Sequence, residues 1–386
     1  MKIFQNSYFK CTVISFVAVA TLSVFFEIAL NFDFLNPFTS TFNDVDLTDI
    51  ITSKFGPDDF LGPDTNIVLV NIGNTRKEIA RQIEILNSHN PKLIAVDAFF
   101  EGTSSENSRS LLFNAFQNTK ELVLVYKLPS SLDTLSNNYL LHSAPFGNKK
   151  NIHFGFANIP AEFSSKTVRT FIPIIISHDS VLNSFCAEIA KTIDIDSYNY
   201  LLSRGNKREI INFRGNNYYT LASPNELYRK DLSFIQNKIV IIGYLGIDDH
   251  DCTDKFYTPL NAKNIGRSLP DMYGVVIHAN ILSMILHKNF ISHLSTFLQY
   301  FFLFIIFYIN GSFLIILTKK TKKFYWFSSK LFILVEVFLV LYIYILLYYN
   351  FSIKIDLKKL LIGLFLFPTF FETINKFFLI MQKDNR

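Results

Sequence analysis

Apolar positions in this chain follow two regimes. Residues 296 to 380 hold long runs of Phe, Leu, Ile and Tyr, whereas residues 31 to 295 alternate apolar and polar segments as a globular domain does. In the globular part, Asn66-Ile67-Val68-Leu69-Val70-Asn71-Ile72 is a β-branched run bounded by Pro63-Asp64 and Gly73. That is the pattern of a buried strand. Ile79, Ile83 and Leu86 then recur at helical spacing between Arg76 and Asn87, and His89-Asn90-Pro91 ends the element. Leu93 to Asp97 predicts a second strand, Glu106 to Gln117 a helix and Leu122 to Val125 a third strand. Further on, Ile152 to Asn158 and Val168 to Ile176 predict a strand pair, Val181 to Thr192 a helix, Glu209 to Phe213 a short strand, Ile239 to Gly243 a buried strand and Gly274 to His287 a helix. The β-α-β-α-β order predicts an α/β domain with a mainly parallel sheet, right-handed crossovers and helices on both faces. No internal repeat or low-complexity linker interrupts residues 50 to 290, so one large domain is expected.

The other regime predicts membrane helices. At 1.5 Å per residue, the runs 11–30, 296–317, 324–349 and 360–380 are each long enough to cross a hydrocarbon core of roughly 30 Å. Four transmembrane α-helices are expected. Ala18-Val19-Ala20 resembles a signal-peptidase site, yet the apolar run continues past it, which favours an uncleaved anchor. The segment 318–323 contains Lys319-Lys320-Thr321-Lys322-Lys323, and short basic loops stay cytoplasmic. Both termini, residues 1–10 and 381–386, then lie inside, while residues 31–295 and the loop 350–359 lie outside. Lys354, Lys358 and Lys359 oppose this orientation and are outweighed by the lysine loop and the N-terminal lysines. In a bacterium the chain is then a multi-pass protein of the inner membrane with its large domain in the periplasm.

Composition narrows the chemistry. With 49% hydrophobic and 18% charged residues among 386, disorder is excluded. Residues 31 to 295 hold 24 Lys and Arg against 27 Asp and Glu, so the overall charge of +5 belongs to the membrane-flanking segments and gives no case for nucleic acid. Of three cysteines, only Cys186 and Cys252 lie in the globular part, enough for one distant disulfide but not for a disulfide framework. The chain has no phosphate-binding glycine loop, dinucleotide fingerprint, nucleophile elbow or zinc-protease helix. No catalytic residue and no cofactor are therefore expected.

Asn71 and Asp97 each end a parallel strand on the same sheet edge, where α/β proteins commonly hold ligands, and Asp254 follows the last strand. A carboxylate there can instead cap a helix. Arg76 follows the first strand, and His278 lies four residues after Gly274, as a ligand-facing or a packing histidine. The run Asp248 to Asp254 includes Asp249, His250 and Asp251, which could face a divalent metal, but the spacing fits no ligand pattern and an acidic solvated loop is the simpler reading. In the membrane, Asn310, Glu336 and Glu372 all fall roughly 10 to 14 Å inside the cytoplasmic boundary. Such a polar layer should face the bundle or a partner helix, with Asn310 as a hydrogen-bond partner for Glu336 and Lys376 as a partner for Glu372.

These residues also carry a resemblance. Asn66 to Val70 with Arg76, and Pro91-Lys92-Leu93-Ile94-Ala95-Val96-Asp97-Ala98-Phe99-Phe100, resemble the first half of the CHASE type-two domain, an extracytoplasmic sensory module of bacterial receptors. Val168-Arg169, Ile211 to Gly215, Lys238 to Gly243, Asp254 with Thr258-Pro259, and Gly274-Val275 with His278-Ala279-Asn280 resemble its second half, in order. The resemblance spans about residues 45 to 290, and one helix before the domain with three after it also resembles the family's membrane plan. Where the family often has an acidic residue after its first strand, this chain has Asn71. Family members typically carry an output domain after the last helix, whereas only Met381 to Arg386 follow here. The resemblance implies a non-enzymatic membrane sensor that binds a periplasmic ligand or protein and relays to a separate membrane or cytoplasmic output partner. A structural docking subunit of an envelope assembly is the alternative, and a second copy of the chain is a further candidate partner.

Overall fold

The computed structural model describes residues 2–29, 47–55, 62–100, 105–128, 150–160, 167–177, 180–205, 207–228, 231–248, 251–261, 269–320 and 325–384. They fall into two units, one of residues Met1–Asn43 with Ser292–Arg386 and one of Asp44–Ile291. In chain order, helix α1 (Lys2–Ala29) belongs to the first unit. The second unit then runs through α2 (Leu47–Phe55), β1 (Asp64–Asn71), α3 (Arg76–Ser88), β2 (Leu93–Val96), α4 (Glu106–Gln117), β3 (Leu122–Tyr126) and β4 (Ile152–Phe156). Two small strands, β5 (Thr170–Phe171) and β6 (Ile174–Ser177), are followed by β7 (Ser180–Asn183), α5 (Phe185–Ile193), α6 (Ile195–Ser203) and β8 (Glu209–Ile210). The unit closes with β9 (Tyr219–Ala222), α7 (Pro224–Leu227), β10 (Ile239–Gly243), β11 (Lys255–Phe256), β12 (Met272–Tyr273) and α8 (Gly274–Leu286).

Six strands form one sheet in the order β4-β3-β2-β10-β1-β9, every neighbouring pair parallel. Side chains of successive strand residues leave opposite faces, and the buried residues divide accordingly. Ile67, Leu69, Leu93, Ala95, Val123, Val125, Ile239 and Ile241 share a core with α5, α6 and α8. Val68, Val70, Ile94, Val96, Leu122, Leu124, Val240 and Ile242 share another with α3 and α4. Fully burying each such aliphatic side chain contributes about 1.5 to 3 kcal/mol, so a sheet apolar on both faces is stable only with both covered. Helix α8 is buried from Gly274 to Ile285, which accounts for apolar residues on all its sides, with His278, Asn280 and Ser283 as its buried polar positions. Helix α3 starts where Thr75 and Glu78 close a reciprocal capping box, which fixes where Arg76 leaves the sheet edge.

The sequence reading of Ile152 to Asn158 is corrected. Rather than pairing with Val168 to Ile176, Ile152–Phe156 joins β3 as the parallel edge strand of the sheet. The 168 to 176 stretch splits, its first part pairing with β8 and its second forming a hairpin with β7. Gly155 makes the edge strand possible, since an added Cβ would stand 2.6 Å from the Phe185 Cα and 2.8 Å from its backbone nitrogen. Backbone atoms cannot swing aside as a side chain can. Gly155→Ala is expected to push α5 off β4 and destabilise the unit by about 2 to 3 kcal/mol, read as a lowered denaturation midpoint.

The first unit contains α1, a short parallel pair β13 (Ser292–His293) and β14 (Ile353–Lys354), and helices α9 (Thr296–Lys320), α10 (Tyr325–Phe351) and α11 (Leu357–Asp384). Its core joins Cys11 and Val19 of α1 to Leu303, Phe307 and Leu314 of α9 and to Leu364, Phe367 and Phe371 of α11. Phe307 and Phe367 stack with centroids 4.2 Å apart. Among the described residues, three helices are long and apolar enough to cross a membrane, over Thr296–Leu317, Phe327–Phe351 and Leu360–Phe378. The described apolar stretch of α1, Phe9–Leu22, is shorter.

Candidate functional site

The C-terminal ends of β1, β2 and β10 lie side by side, and their outgoing loops carry the candidate residues. Asn71 Nδ2 donates to the Gly246 carbonyl at 2.8 Å, and its Oδ1 accepts from the Leu245 amide at 2.9 Å. Asn71 thus spends both halves of its amide fastening the loop after β10. Arg76 Nη2 donates to the Phe100 carbonyl at 2.8 Å and anchors the loop after β2. Both residues shape the edge.

Asp97, Asp254 and His278 are brought together. The Asp97 amide donates to Ile242 at 2.8 Å, continuing the β2–β10 ladder by one residue, and Gly243 opposite has no side chain to crowd it. Asp254 sits at the start of α8, its carbonyl accepting from the Gly274 amide at 3.0 Å. Its φ of 58° places it in the left-handed region, where Asp is among the residues that tolerate the conformation. His278, in the second turn of α8, points Nε2 at Asp97 Oδ2 from 4.0 Å, beyond hydrogen-bond range. Desolvation pushes the Asp97 carboxyl up to about 7. It raises Asp254 to about 6, with the Asp97 charge adding to the rise. Desolvation also lowers His278 to about 4, so its imidazole is neutral at physiological pH.

Sequence reasoning did not single out Cys186 in this site. Its thiol lies 3.5 Å from His278 Nδ1 and donates to the His278 carbonyl at 3.2 Å. The order Cys186, His278, Asp97 looks like a nucleophile, base and orienting acid. However, burial pushes the thiol well above its usual range, which keeps it a proton donor rather than a thiolate. No disulfide joins Cys186 and Cys252, although their number allows one.

Of the acidic loop, Asp249 and His250 lie outside the described residues. Asp251 organises the turn internally, accepting from the Tyr244 hydroxyl, from the Ile247 amide at 3.2 Å and from the Thr253 amide at 2.8 Å. Those bonds hold its carboxyl well below the usual range. Among the described residues no group of three or more His, Cys, Asp or Glu is placed to hold a metal ion.

In the helical unit, Asn310 Nδ2 donates to Glu336 Oε1 at 2.6 Å. For Glu372 the structure supplies a partner other than the expected Lys376: the Tyr325 hydroxyl donates to its Oε1 at 2.8 Å. A tyrosine near the opposite end of a hydrophobic run gave no spacing signal, because the pairing is between helices rather than along one.

The fold is an α/β module whose parallel sheet gathers ionisable side chains at its C-terminal strand ends. The chain belongs to the CHASE2 domain family, an extracytoplasmic sensory domain family, whose family model matches residues 72–317. The match begins just after β1 and continues into α9, so it lies further along the chain than the span of about 45 to 290 carried by the sequence motifs. No curated protein and no solved structure matches the chain.

Proposed function

We propose that this chain is a multi-pass protein of a bacterial inner membrane whose periplasmic CHASE2 unit binds a ligand at the Asp97, Asp254 and His278 edge. It relays binding through its apolar helices to a separate output partner and performs no catalysis itself. The observation that carries the reading is the extent of the family match, which runs through the sensory fold and on into the apolar helix Thr296–Leu317 without a break. Helix α1 supplies the fourth crossing, and the lysines around residue 320 hold the α9–α10 connection in the cytoplasm. The raised Asp97 and Asp254 and the lowered His278 support a site whose charge state changes when something binds.

Orientation is tested by single cysteines at Leu269, which is 71% exposed, and at Thr321, in a chain whose three native cysteines are replaced by serine or alanine. A membrane-impermeant maleimide should label position 269 in cells with a permeabilised outer membrane, and position 321 only after the inner membrane is opened. Labelling of 321 from outside would overturn the topology.

A further inference from the structure

The sensory unit ends at Ile291 and the helical unit resumes at Ser292, so residues 287 to 291 carry the chain from α8 toward α9. They are held closely within the sensory unit. His287 Nε2 lies 3.1 Å from Asp64 Oδ2, and the Asn289 carbonyl accepts from Asn212 Nδ2 at 3.4 Å. Arg204, at the end of α6, forks onto Glu209 at 2.7 and 3.0 Å, covers the Phe290 ring with its guanidinium and donates from Nη2 to the Ile291 carbonyl at 3.2 Å. Beyond that anchor the Ser292 amide donates to the Ser352 carbonyl at 2.8 Å and the Leu294 amide to the Lys354 carbonyl at 3.0 Å, which ties β13 to β14 in the turn between α10 and α11. Gln299, in the first turn of α9, closes the same junction. Its Nε2 donates to the Leu294 carbonyl at 2.7 Å and its Oε1 accepts from the Asp356 amide at 3.2 Å. The non-glycine residues with left-handed φ among the described residues are Asn90, Asn237, Asp254, Lys288 and Ser352. Asn and Asp tolerate that region, whereas Lys288 at 54° and Ser352 at 52° are of types that rarely adopt it. Those two bends stand just ahead of β13 and β14, and such residues persist only where their surroundings over-determine them.

We propose that the β13–β14 pair, closed by Gln299, is the output joint of the sensory unit, through which a displacement at the end of α8 reaches the α10–α11 turn as well as α9. This rests on the sensory reading above and specifies its route into the membrane helices. Along the chain α8 leads to α9 alone, and without the joint α10 and α11 would follow only through the connection at the far end of α9. The ladder removes that delay. A shift of Ser292 either carries Ser352 to Asp356 with it or breaks the bonds that join them, because a strand has no intermediate register. Helix α8 is the lever. His278 lies in its second turn and the 287–291 segment follows its last, so the candidate ligand edge and the joint lie at opposite ends of a helix about 20 Å long. Arg204 is a positioning residue, since it fixes where Ile291 leaves the sensory unit.

The test has two arms, both on the detergent-solubilised full chain. In the first, the chain without native cysteines carries His293→Cys with Lys354→Cys. These two residues are partners in the ladder, and neighbouring strands about 4.8 Å apart fall within the span a disulfide bridges. Copper phenanthroline should crosslink this pair and not Ser292→Cys with Lys354→Cys, whose side chains leave opposite faces. In the second arm, amide hydrogen exchange compares wild type with Arg204→Lys, which keeps a charge beside Glu209 but lacks the fork that reaches the Ile291 carbonyl as well. Exchange of the Ser292, Leu294 and Asp356 amides should rise at least about fivefold, while the Ile241 amide in the sensory core keeps its wild-type rate. Two results overturn the joint: no crosslink between positions 293 and 354, or unchanged exchange at Asp356 in Arg204→Lys. If either occurs while the 269 and 321 labelling pattern holds, the joint falls and the membrane sensor stands. A reversed labelling pattern removes the sensor reading, and the output role with it, whatever the crosslink shows.

Discussion

Asp97→Asn is expected to stabilise the protein at pH 8 and to leave it nearly unchanged at pH 4. The carboxyl titrates near 7 in the folded unit against about 3.9 in an unfolded chain. A folded value raised above the unfolded one means that folding favours the protonated acid. The wild type therefore keeps this contribution below pH 4 and loses it progressively as pH rises to about 7, after which the penalty is complete. Asparagine keeps the shape and cannot ionise. A shift of about three units corresponds to roughly 4 kcal/mol, and the 13% residual exposure of the side chain reduces it to about 2 to 4 kcal/mol. For a unit of this size that is a rise of roughly 5 to 10 °C in unfolding temperature. The substitution also removes the Asp97 charge from Asp254, which should fall partway while desolvation, the larger cause, still holds it above the ordinary carboxyl value.

His278 bends the same curve the other way. Its folded value near 4 lies below the usual one, so its contribution is complete above about pH 6.5 and is lost as pH falls toward 4. In the wild type the two slopes oppose each other between pH 4 and 6.5. In Asp97→Asn only Asp254, still raised by its burial, opposes the histidine slope, so stability should fall less or climb more with pH across that window than in the wild type. Thermal unfolding of the full chain at pH 4.5, 6 and 8 measures this. A wild type no less stable than Asp97→Asn at pH 8 would show that the carboxyl pays no desolvation penalty.

The sheet was legible because its strands are buried on both faces and read as continuous apolar runs, as Ile67 to Val70 and Ile239 to Ile242 do. Helices with one buried face were equally plain, and the Glu106–Gln117 element falls where its pattern put it. The region from 168 to 222 was harder. Its strands are two to four residues long, too short for alternation to accumulate, and β9 has a half-exposed pattern with Leu221 52% exposed. Helix α6 was hidden because it follows α5 with only Asp194 between them, that residue serving as the C-cap of one and the N-cap of the other. In the site, position at a strand end located Asp97 but could not separate it from Asn71, whose role depends on a loop 175 residues away. The Cys186 contribution crosses 92 residues and leaves no local pattern.

Arg169→Ala is expected to cost more than any surface change, because it strands a buried charge. Arg169 Nε donates to Asp49 Oδ1 at 3.0 Å, and its Nη2 donates to Asp49 Oδ2 at 2.6 Å, with side-chain exposures of 8% and 4%. The forked geometry holds α2, whose Ile51 and Thr48 are also buried, onto the rest of the sensory unit. Removing one partner of such a pair costs about 3 to 5 kcal/mol, most of it the penalty of an unpaired charge left out of water. If the guanidinium acts by compensating that charge, Asp49→Leu combined with Arg169→Met should recover most of the loss, since neither residue then carries a charge to bury. If α2 is held mainly by Ile51, both the single and the double variant should stay near wild type. The readout is trypsin cleavage after Lys54, an exposed residue of α2 whose backbone is protected while the helix stays docked. Arg169→Ala should be cut at least about tenfold faster than wild type, and the double variant close to the wild-type rate.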